Sequence, residues 1–170
     1  MKMTVRDVDW QDKRALVRVD FNVPYERGTT RISDDIRIRE AIPTIEYLRE
    51  RGASVVLCTH LGRPNGKPSS EFDLDSIAAR LSELIATPVT YVRDAPGSLA
   101  SETVGAMAVR DVILLENIRF WAGEESNDEE FASALAKLGD VYVNDAFGTA
   151  HRAHASTAGV ASHLPAVAGL

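Results

Sequence analysis

Residues 54–64 read SVVLCTHLGRP, in which a compact apolar run gives way at once to polar and basic residues. Four other runs share this apolar, β-branched character, so the sequence predicts strands at residues 15–19, 54–58, 89–92, 112–115 and 141–143. The runs are nearly continuous rather than alternating in polarity, which is typical of strands that are covered on both faces. A buried sheet is therefore expected at the centre of the fold.

Segments with helical periodicity separate these strands. They predict helices at residues 34–51, 74–85, 98–107 and 127–138. Pro43 should kink the first helix or mark its boundary. Asn127 is the expected N-cap of the fourth helix, and Ser156 or Thr157 that of a last helix. The alternation of strands and helices indicates an α/β fold with a doubly wound, Rossmann-like parallel sheet and helices on both faces, and residues 1–170 fit one domain.

The chain has a formal net charge of −6 and a single cysteine, Cys58. The negative charge argues against broad affinity for nucleic acid or for anionic membranes. One cysteine excludes an internal disulfide and fits a reducing compartment, so we expect a cytoplasmic protein. We also expect a monomer. No apolar run reaches the roughly 18 residues of a membrane span, and the N-terminus lacks the apolar segment of a secretory signal.

The last residues, 163–170, read HLPAVAGL and are mainly apolar. Domain ends are usually polar and frayed, so this stretch is expected to lead into a further part of a longer protein. On that interpretation, the tail around Val167 and Leu170 should be mobile or should adhere to a neighbour.

Polar and basic residues follow four of the five predicted strands. Ligands of open α/β sheets bind at the carboxyl ends of the strands, so these residues should meet at one edge of the sheet. The start of the first helix lies close to the same loops and adds one arginine. The residues expected to converge are Asp20, Asn22, Arg37, His60, Arg63, Arg119 and Arg152, with His151 as a further candidate.

Arginines gathered in one crevice repel one another unless an anion lies between them. For Arg63, Arg119 and Arg152, the repulsion amounts to roughly a few kcal/mol at an effective dielectric constant of about 20. A phosphate would remove it, while Asp20 and Asn22 add acceptors for a ligand hydroxyl. The pattern predicts a small polyanion with a phosphate and at least one hydroxyl. The alternative is that each polar group simply ends a strand or caps a helix.

Metal binding and cysteine chemistry are less well supported. His151 and His154 have an HxxH spacing, but zinc needs further ligands and only Asp145 is near in the sequence. No metal site is therefore predicted. Cys58 lies in a predicted strand, where neighbouring residues point to opposite faces, so we expect it in the core rather than as a nucleophile beside His60.

The strand-end segments, taken together, resemble one family. They read RVDFNVP at 18–24, DIRIREAIPTI at 35–45, THLGRP at 59–64, LLENIRF at 114–120 and VNDAFGTAHRAHAST at 143–157. In this order, and over nearly the whole chain, they resemble phosphoglycerate kinase, a two-lobed enzyme of more than twice this length. The chain is similar only to the N-terminal lobe of that family, which binds 3-phosphoglycerate or 1,3-bisphosphoglycerate.

The resemblance implies a part in the glycolytic phosphoryl transfer between 1,3-bisphosphoglycerate and ADP, which gives 3-phosphoglycerate and ATP. It implies that the 3-phosphate is held by His60, Arg63, Arg119 and Arg152. Asp20 and Asn22 would position the hydroxyl and carboxylate end of the substrate. Arg37 would be catalytic, lying near the transferred phosphoryl group and stabilising its equatorial charge.

The family's nucleotide-binding lobe, which holds Mg-ADP or Mg-ATP, has no counterpart in these 170 residues. The resemblance therefore implies that this chain binds no cofactor itself, binds 3-phosphoglycerate weakly and transfers nothing without the missing C-terminal domain. Two other interpretations stay open. The chain could be a free-standing sugar-phosphate or anion-binding module, or a purely structural α/β domain with an unused cleft.

Overall fold

A computed structural model describes residues 2–147 and 152–170 of the chain. Within them, six strands form one parallel sheet. The strands are β1 (Arg14–Arg18), β2 (Ser54–Cys58), β3 (Val89–Val92), β4 (Val112–Leu115), β5 (Val141–Asn144) and β6 (Ala166–Ala168). Their order across the sheet is β3-β4-β2-β1-β5-β6, so the chain winds outward from β1 in both directions. The predicted α/β fold is confirmed.

The central strands pack into a separate apolar core on each face of the sheet. In β2, Val55 and Leu57 belong to one buried cluster, whereas Val56 and Cys58 belong to the other. None of these four residues is more than 1% exposed. Since successive strand residues point to opposite faces, two covered faces require apolar residues at every position, which explains the unbroken run in the sequence.

Helices supply the cover on both faces. They are α1 (Ile36–Glu50), α2 (Asp75–Ile85), α3 (Ser98–Gly105), α4 (Ala122–Glu125) and α5 (Glu129–Ala136). Helices α1 and α2 cover one face, where Ile45 and Ile77 are fully buried. Helices α3 and α5 cover the other face through Val104 and Leu135. The packing of helices on both faces agrees with the sequence prediction.

Helix α1 continues through Pro43, so the expectation that this residue marks a boundary is wrong. Proline lacks an N–H, which leaves the carbonyl four residues earlier, on Arg39, without its helical partner. Both residues are exposed. Water can therefore hydrogen-bond that carbonyl, and the helix tolerates the proline on its solvent side.

The N-cap of α5 is Asp128 rather than the predicted Asn127. The Asp128 side chain accepts a hydrogen bond from the backbone N–H of Phe131 over 2.9 Å. Asn127 instead adopts a left-handed conformation, with φ of 53°. Asparagine tolerates this region better than most residues do, and aspartate is an equally good cap, so the helix begins one residue later than predicted.

The N-cap of the last helical segment lies two residues before Ser156 and three before Thr157, the two predicted caps. The segment is a π-helical turn, Ala155–Gly159, and His154 is its N-cap. Thr157 lies inside the turn, where its hydroxyl accepts a hydrogen bond from the backbone N–H of His154 over 3.1 Å. Ser156 also lies inside the turn and is fully buried. The predicted cap positions are therefore wrong: the Thr157 hydroxyl is used within the turn, and the Ser156 hydroxyl bonds Glu124 and Arg18 instead.

The C-terminal tail is packed, contrary to the expectation that it is mobile. Residues Ala166–Ala168 form β6, which pairs with β5 and leaves Val167 only 5% exposed. The backbone N–H of Gly169 donates to the carbonyl of Asn144 over 3.0 Å. The tail escapes prediction because a strand of two alanines and one valine carries a weak β signal. Leu170 remains 39% exposed.

The topology brings the predicted strand ends together. Strands β4, β2, β1 and β5 are neighbours in the sheet, in that order, and they are the four strands followed by polar residues in the sequence. Because all are parallel, their carboxyl ends lie along one edge. Among the residues that the structure describes, no helix has the length and apolar character needed to cross a bilayer.

Candidate functional site

The side chains predicted to converge line one cavity of about 300 Å³ at the carboxyl ends of the central strands, hereafter the anion pocket. Its lining consists of Asp20, Asn22, Arg37, His60, Gly62, Arg63, Arg119 and Arg152. The three arginines of the strand-end loops therefore face a common space. His151, the further candidate, lies outside the described residues.

Arg63 and Arg152 supply uncommitted positive charge at the mouth of the pocket. Both residues are exposed. Neither side chain makes a hydrogen bond or an ion pair with any residue in 2–147 or 152–170. Their guanidinium groups are therefore available to an incoming anion, for which arginine offers a planar fork of donors.

Arg37 and Asp20, which also line the pocket, form an ion pair with each other. Arg37 Nη1 lies 3.2 Å from Asp20 Oδ1, and it also donates to the backbone carbonyl of Asn22 over 3.2 Å. The Arg37 side chain is 46% exposed. A pair this accessible is weak and can be exchanged for contacts with a ligand.

Arg119 lies deeper, on the 3-10 turn Ile118–Phe120 that follows β4. It is only 7% exposed, and its Nη1 donates to the carbonyl of Gly62 over 3.1 Å. Its Nε is buried and has no hydrogen-bond partner among the described residues. Burial, followed by the nearby charges of Arg18 and Arg152, lowers the pKa of Arg119. An acceptor is thus lacking beside a buried cation.

Asn117 fixes the turn that carries Arg119. Its Oδ1 accepts from the backbone N–H groups of Leu61 and Arg119, each over 3.2 Å. Its Nδ2 donates to the carbonyls of Leu61 and Phe72 over 2.9 and 3.1 Å. Asn117 was not among the predicted site residues, although an asparagine two residues after a buried strand signals this kind of backbone support.

Gly62 connects three of the strand-end loops. Its N–H donates to Asn22 Oδ1 over 3.0 Å, and its φ of 63° lies in the left-handed region that favours glycine. A Cβ at this position would lie 2.2 Å from the Phe72 ring. The position therefore requires glycine on two counts. Of this loop, only His60 and Arg63 were predicted to belong to the site.

His60 forms the buried floor of the pocket and is 4% exposed. Its Nδ1 lies 2.7 Å from Nη2 of Arg18, the last residue of β1. Burial lowers the pKa of His60 to about 2, and the positive charges of Arg18 and Arg119 contribute to this shift. Arg18 was missed in the sequence, yet an arginine inside the apolar run RALVR was the signal for it.

Metal ligands are scarce in this region. Among residues 2–147 and 152–170, no group of three or more histidine, cysteine, aspartate or glutamate side chains is placed to hold a metal ion. Cys58 is buried, and desolvation raises the pKa of its thiol to about 12. It is therefore a core residue, as the sequence predicted.

The fold and the pocket define a class of protein: an open α/β domain with an arginine-rich anion site at the carboxyl edge of its sheet. A model of the family described as phosphoglycerate kinase matches residues 5–170. The chain belongs to the phosphoglycerate kinase family.

Relatives of known name agree with this assignment. The chain is 58% identical to a phosphoglycerate kinase of Desulforudis audaxviator and 57% identical to one of Pelotomaculum thermopropionicum, which it matches over 100% and 99% of its own length. It spans only 43% and 42% of the length of those two proteins. The chain thus corresponds to the N-terminal part of the family's proteins.

Solved structures agree as well. The chain superposes on the phosphoglycerate kinase of Coxiella burnetii with a TM-score of 0.86 at 38% identity, covering 99% of this chain and 41% of that one. For the enzyme of Pyrococcus horikoshii the TM-score is 0.87 at 37% identity, covering 98% and 42%. The Rossmann-like architecture derived from the sequence is therefore that of phosphoglycerate kinase domains.

Proposed function

We propose that this chain binds 3-phosphoglycerate, or 1,3-bisphosphoglycerate, in the anion pocket and supplies the substrate-binding half of a phosphoglycerate kinase. The observation that carries the proposal is the convergence of Arg63, Arg119 and Arg152 with His60 around one cavity of about 300 Å³. Repulsion among three guanidinium groups is relieved by a ligand of opposite charge. A phosphate offers enough oxygens to accept from all of them.

The proposed pose divides the pocket between the two ends of the substrate. Arg63, Arg119 and Arg152 bind the 3-phosphate together with His60, and the buried Nε–H of Arg119 is a donor that a small reorientation brings to a phosphate oxygen. Asp20 accepts from the substrate hydroxyl. Asn22 is partly committed, because its Oδ1 already accepts from Gly62.

Arg37 is the residue proposed to act on the transferred group. Its ion pair with Asp20 holds it at the rim of the pocket. Since the pair is accessible to solvent, Arg37 can exchange Asp20 for a phosphoryl oxygen at small cost. Its charge would then stabilise the equatorial oxygens, which is the main protein contribution to phosphoryl transfer.

The complete reaction needs a nucleotide. We propose that Mg-ADP or Mg-ATP is held by the part of the full-length enzyme that these 170 residues do not include, and that the 170 residues alone transfer nothing. Closure of a second domain would exclude water from the site and would bring the two substrates together. The proposed activity is the transfer between 1,3-bisphosphoglycerate and ADP.

Calorimetric titration of the 170-residue chain with 3-phosphoglycerate tests the binding. We expect a saturable signal that Arg63→Ala and Arg152→Ala each remove, with Arg6→Ala as a matched control, because Arg6 is exposed and does not line the pocket. No binding by the folded chain would refute the proposal. A coupled assay with Mg-ATP should show no turnover, until a separately made nucleotide-binding lobe is added.

A further inference from the structure

A series of buried polar residues runs from beneath the anion pocket towards the apolar core that contains Val56 and Cys58, hereafter the second core. It consists of Glu124, Ser156, Arg18 and His60, and we name it the buried relay. Glu124 and Ser156 are 0% exposed, Arg18 1% and His60 4%. Buried charged side chains are costly unless they are paired or hydrogen-bonded, so each residue of the relay is expected to have a hydrogen-bond partner.

With Glu124 as a carboxylate, the hydrogen atoms at the inner end of the relay have one consistent arrangement. Ser156 donates from its backbone N–H to Glu124 Oε1 over 2.8 Å, and its Oγ lies 2.6 Å from Glu124 Oε2. Arg18 Nε lies 2.9 Å from the same Oγ. A guanidinium group can only donate, so the Ser156 hydroxyl accepts from Arg18 and sends its single hydrogen to Glu124.

The same rule fixes the outer end. Arg18 Nη2 lies 2.7 Å from His60 Nδ1. Since Arg18 must donate here as well, Nδ1 must be unprotonated and must accept. The one hydrogen of a neutral imidazole then lies on Nε2, the other side of the ring. His60 lines the anion pocket, so this is the nitrogen left for a ligand.

We propose that Glu124, Ser156 and Arg18 are positioning residues that hold His60 as a neutral imidazole protonated at Nε2, giving the anion pocket one N–H donor of fixed direction. This inference rests on the proposed function of the pocket and adds to it the protonation state of one binding group. A phosphate oxygen accepts from such a donor.

The surroundings of His60 oppose a second proton from every side. Arg18 approaches from β1, Arg119 from the 3-10 turn after β4, and Arg152 and His154 from the segment after β5. Desolvation acts first and these cationic or titratable groups add to it, so the pKa of His60 lies at about 2. The acid of the relay, Glu124, is separated from His60 by Ser156 and Arg18. Asp20, which shares the pocket, is already paired with Arg37.

Nitrogen-15 NMR of the labelled chain measures the tautomer directly. We expect His60, assigned by the loss of its signals in His60→Gln, to show the pattern of an imidazole protonated at Nε2 alone. This pattern should persist from about pH 8 to about pH 5, where an ordinary histidine becomes cationic. An Nδ1-protonated ring, a mixture of tautomers, or titration within this range would overturn the inference.

Two substitutions of His60 test the same tautomer through the affinity for 3-phosphoglycerate. Glutamine places its amide nitrogen near the position of imidazole Nε2, whereas asparagine places it near Nδ1. With an Nε2–H donor in the wild type, His60→Gln should keep the affinity for 3-phosphoglycerate within a few-fold, and His60→Asn should lower it by about tenfold or more. Equal affinities of the two variants would contradict the assignment.

Arg18→Met removes the donor to Nδ1 and should let His60 populate both tautomers and titrate. If that variant does not fold, the wild-type spectra decide on their own. The failures are also separable. One outcome is wild-type spectra with a fixed Nε2–H in a chain that binds neither 3-phosphoglycerate nor inorganic phosphate. That result would refute the proposed function and support the role of the relay. Binding of 3-phosphoglycerate by a chain in which His60 titrates would support the proposed function and overturn the role of the relay.

Discussion

Asn22 and Gly62 join the loops that follow β1 and β2, because the backbone N–H of Gly62 donates to Asn22 Oδ1 over 3.0 Å. The carbonyl of the same glycine accepts from Arg119 Nη1 over 3.1 Å, which adds the turn after β4. These three loops are therefore held together by hydrogen bonds within the protein itself. Such preorganisation reduces the ordering cost that binding would otherwise carry.

Gly62→Ala should disrupt this arrangement. The added Cβ would lie 2.2 Å from the Phe72 ring, and the φ of 63° costs a non-glycine residue about 1 kcal/mol before any clash. We expect a loss of about 2 kcal/mol or more in the free energy of unfolding, measured by denaturant titration. Affinity for 3-phosphoglycerate should fall as well, since the three loops shift together.

Gly105→Ala is the matched control for that variant. Gly105 is the last residue of α3, and a Cβ there meets no heavy atom within 4 Å. Alanine is a better helix former than glycine by up to about 1 kcal/mol, so this variant should be neutral or slightly more stable. Equal losses from both glycines would show that Gly62 has no special structural role.

Arg63→Ala and Arg152→Ala should separate binding from stability. Both side chains are exposed and lack partners in the described parts of the chain, so each loss should change the free energy of unfolding by less than about 0.5 kcal/mol without ligand. Affinity for 3-phosphoglycerate should drop by about tenfold or more in each variant, as expected for a charge-assisted hydrogen bond. A large loss of stability without ligand would mean that these arginines are structural.

The sequence predicts the parts of this fold in which local pattern and tertiary environment agree. The run at β2 is apolar at every position because both faces are covered, so its position and burial follow directly. The sequence predicts β6 poorly, since Ala166–Ala168 carries little β signal and its pairing with β5 depends on a neighbour far along the chain. Non-local pairing of this kind is invisible to a local pattern.

The residues that line the pocket were predictable from sequence, but the residues that support them were not. Parallel strands must end at one edge, so residues that follow them converge whatever the details of the loops. The supporting groups were not predictable from that argument. Arg18 points back into the protein from inside β1, and Asn117 acts on backbone atoms of Leu61 and Phe72, so their roles depend on contacts that only the folded chain contains.

Asp145 should make stability depend on pH. Burial raises the pKa of its carboxyl group to about 7 from the ordinary value of 3.8, against the opposing hydrogen bond from Thr44. The folded state then holds a proton that the unfolded state releases, so stability is fully present below about pH 3.8 and declines as the pH rises through about 7.

Asp145→Asn removes that dependence, because asparagine has no charge to bury. At about pH 8 the variant should be more stable than the wild type, by on the order of 1 kcal/mol after allowance for partial solvent screening, and the advantage should vanish near pH 4. Denaturant titrations at several pH values measure this. Asp9→Asn, at an exposed position, is the control and should leave the pH profile unchanged. A wild-type stability that rises between pH 4 and 7 relative to Asp145→Asn would contradict the assigned shift.

Cys58 should be inert towards thiol reagents in the folded protein. Its side chain is 1% exposed, and burial raises the pKa of the thiol to about 12, so the reactive thiolate is scarce. We expect no reaction with an aromatic disulfide reagent over hours under native conditions, and one equivalent of thiol after unfolding in denaturant. Rapid native labelling would place Cys58 near the surface and would contradict its position in the second core.

Glu124→Gln should be among the most destabilising single substitutions in the chain. Glu124 is 0% exposed and accepts two hydrogen bonds from Ser156, which in turn accepts from the buried Arg18. A neutral amide leaves the Arg18 charge without a buried acid, and its NH₂ group opposes the Ser156 hydroxyl, so the free energy of unfolding should fall by about 3 kcal/mol. Glu125→Gln changes the neighbouring, exposed glutamate and should cost less than about 0.5 kcal/mol. Equal effects of the two substitutions, measured by denaturant titration, would show that Glu124 does not compensate Arg18.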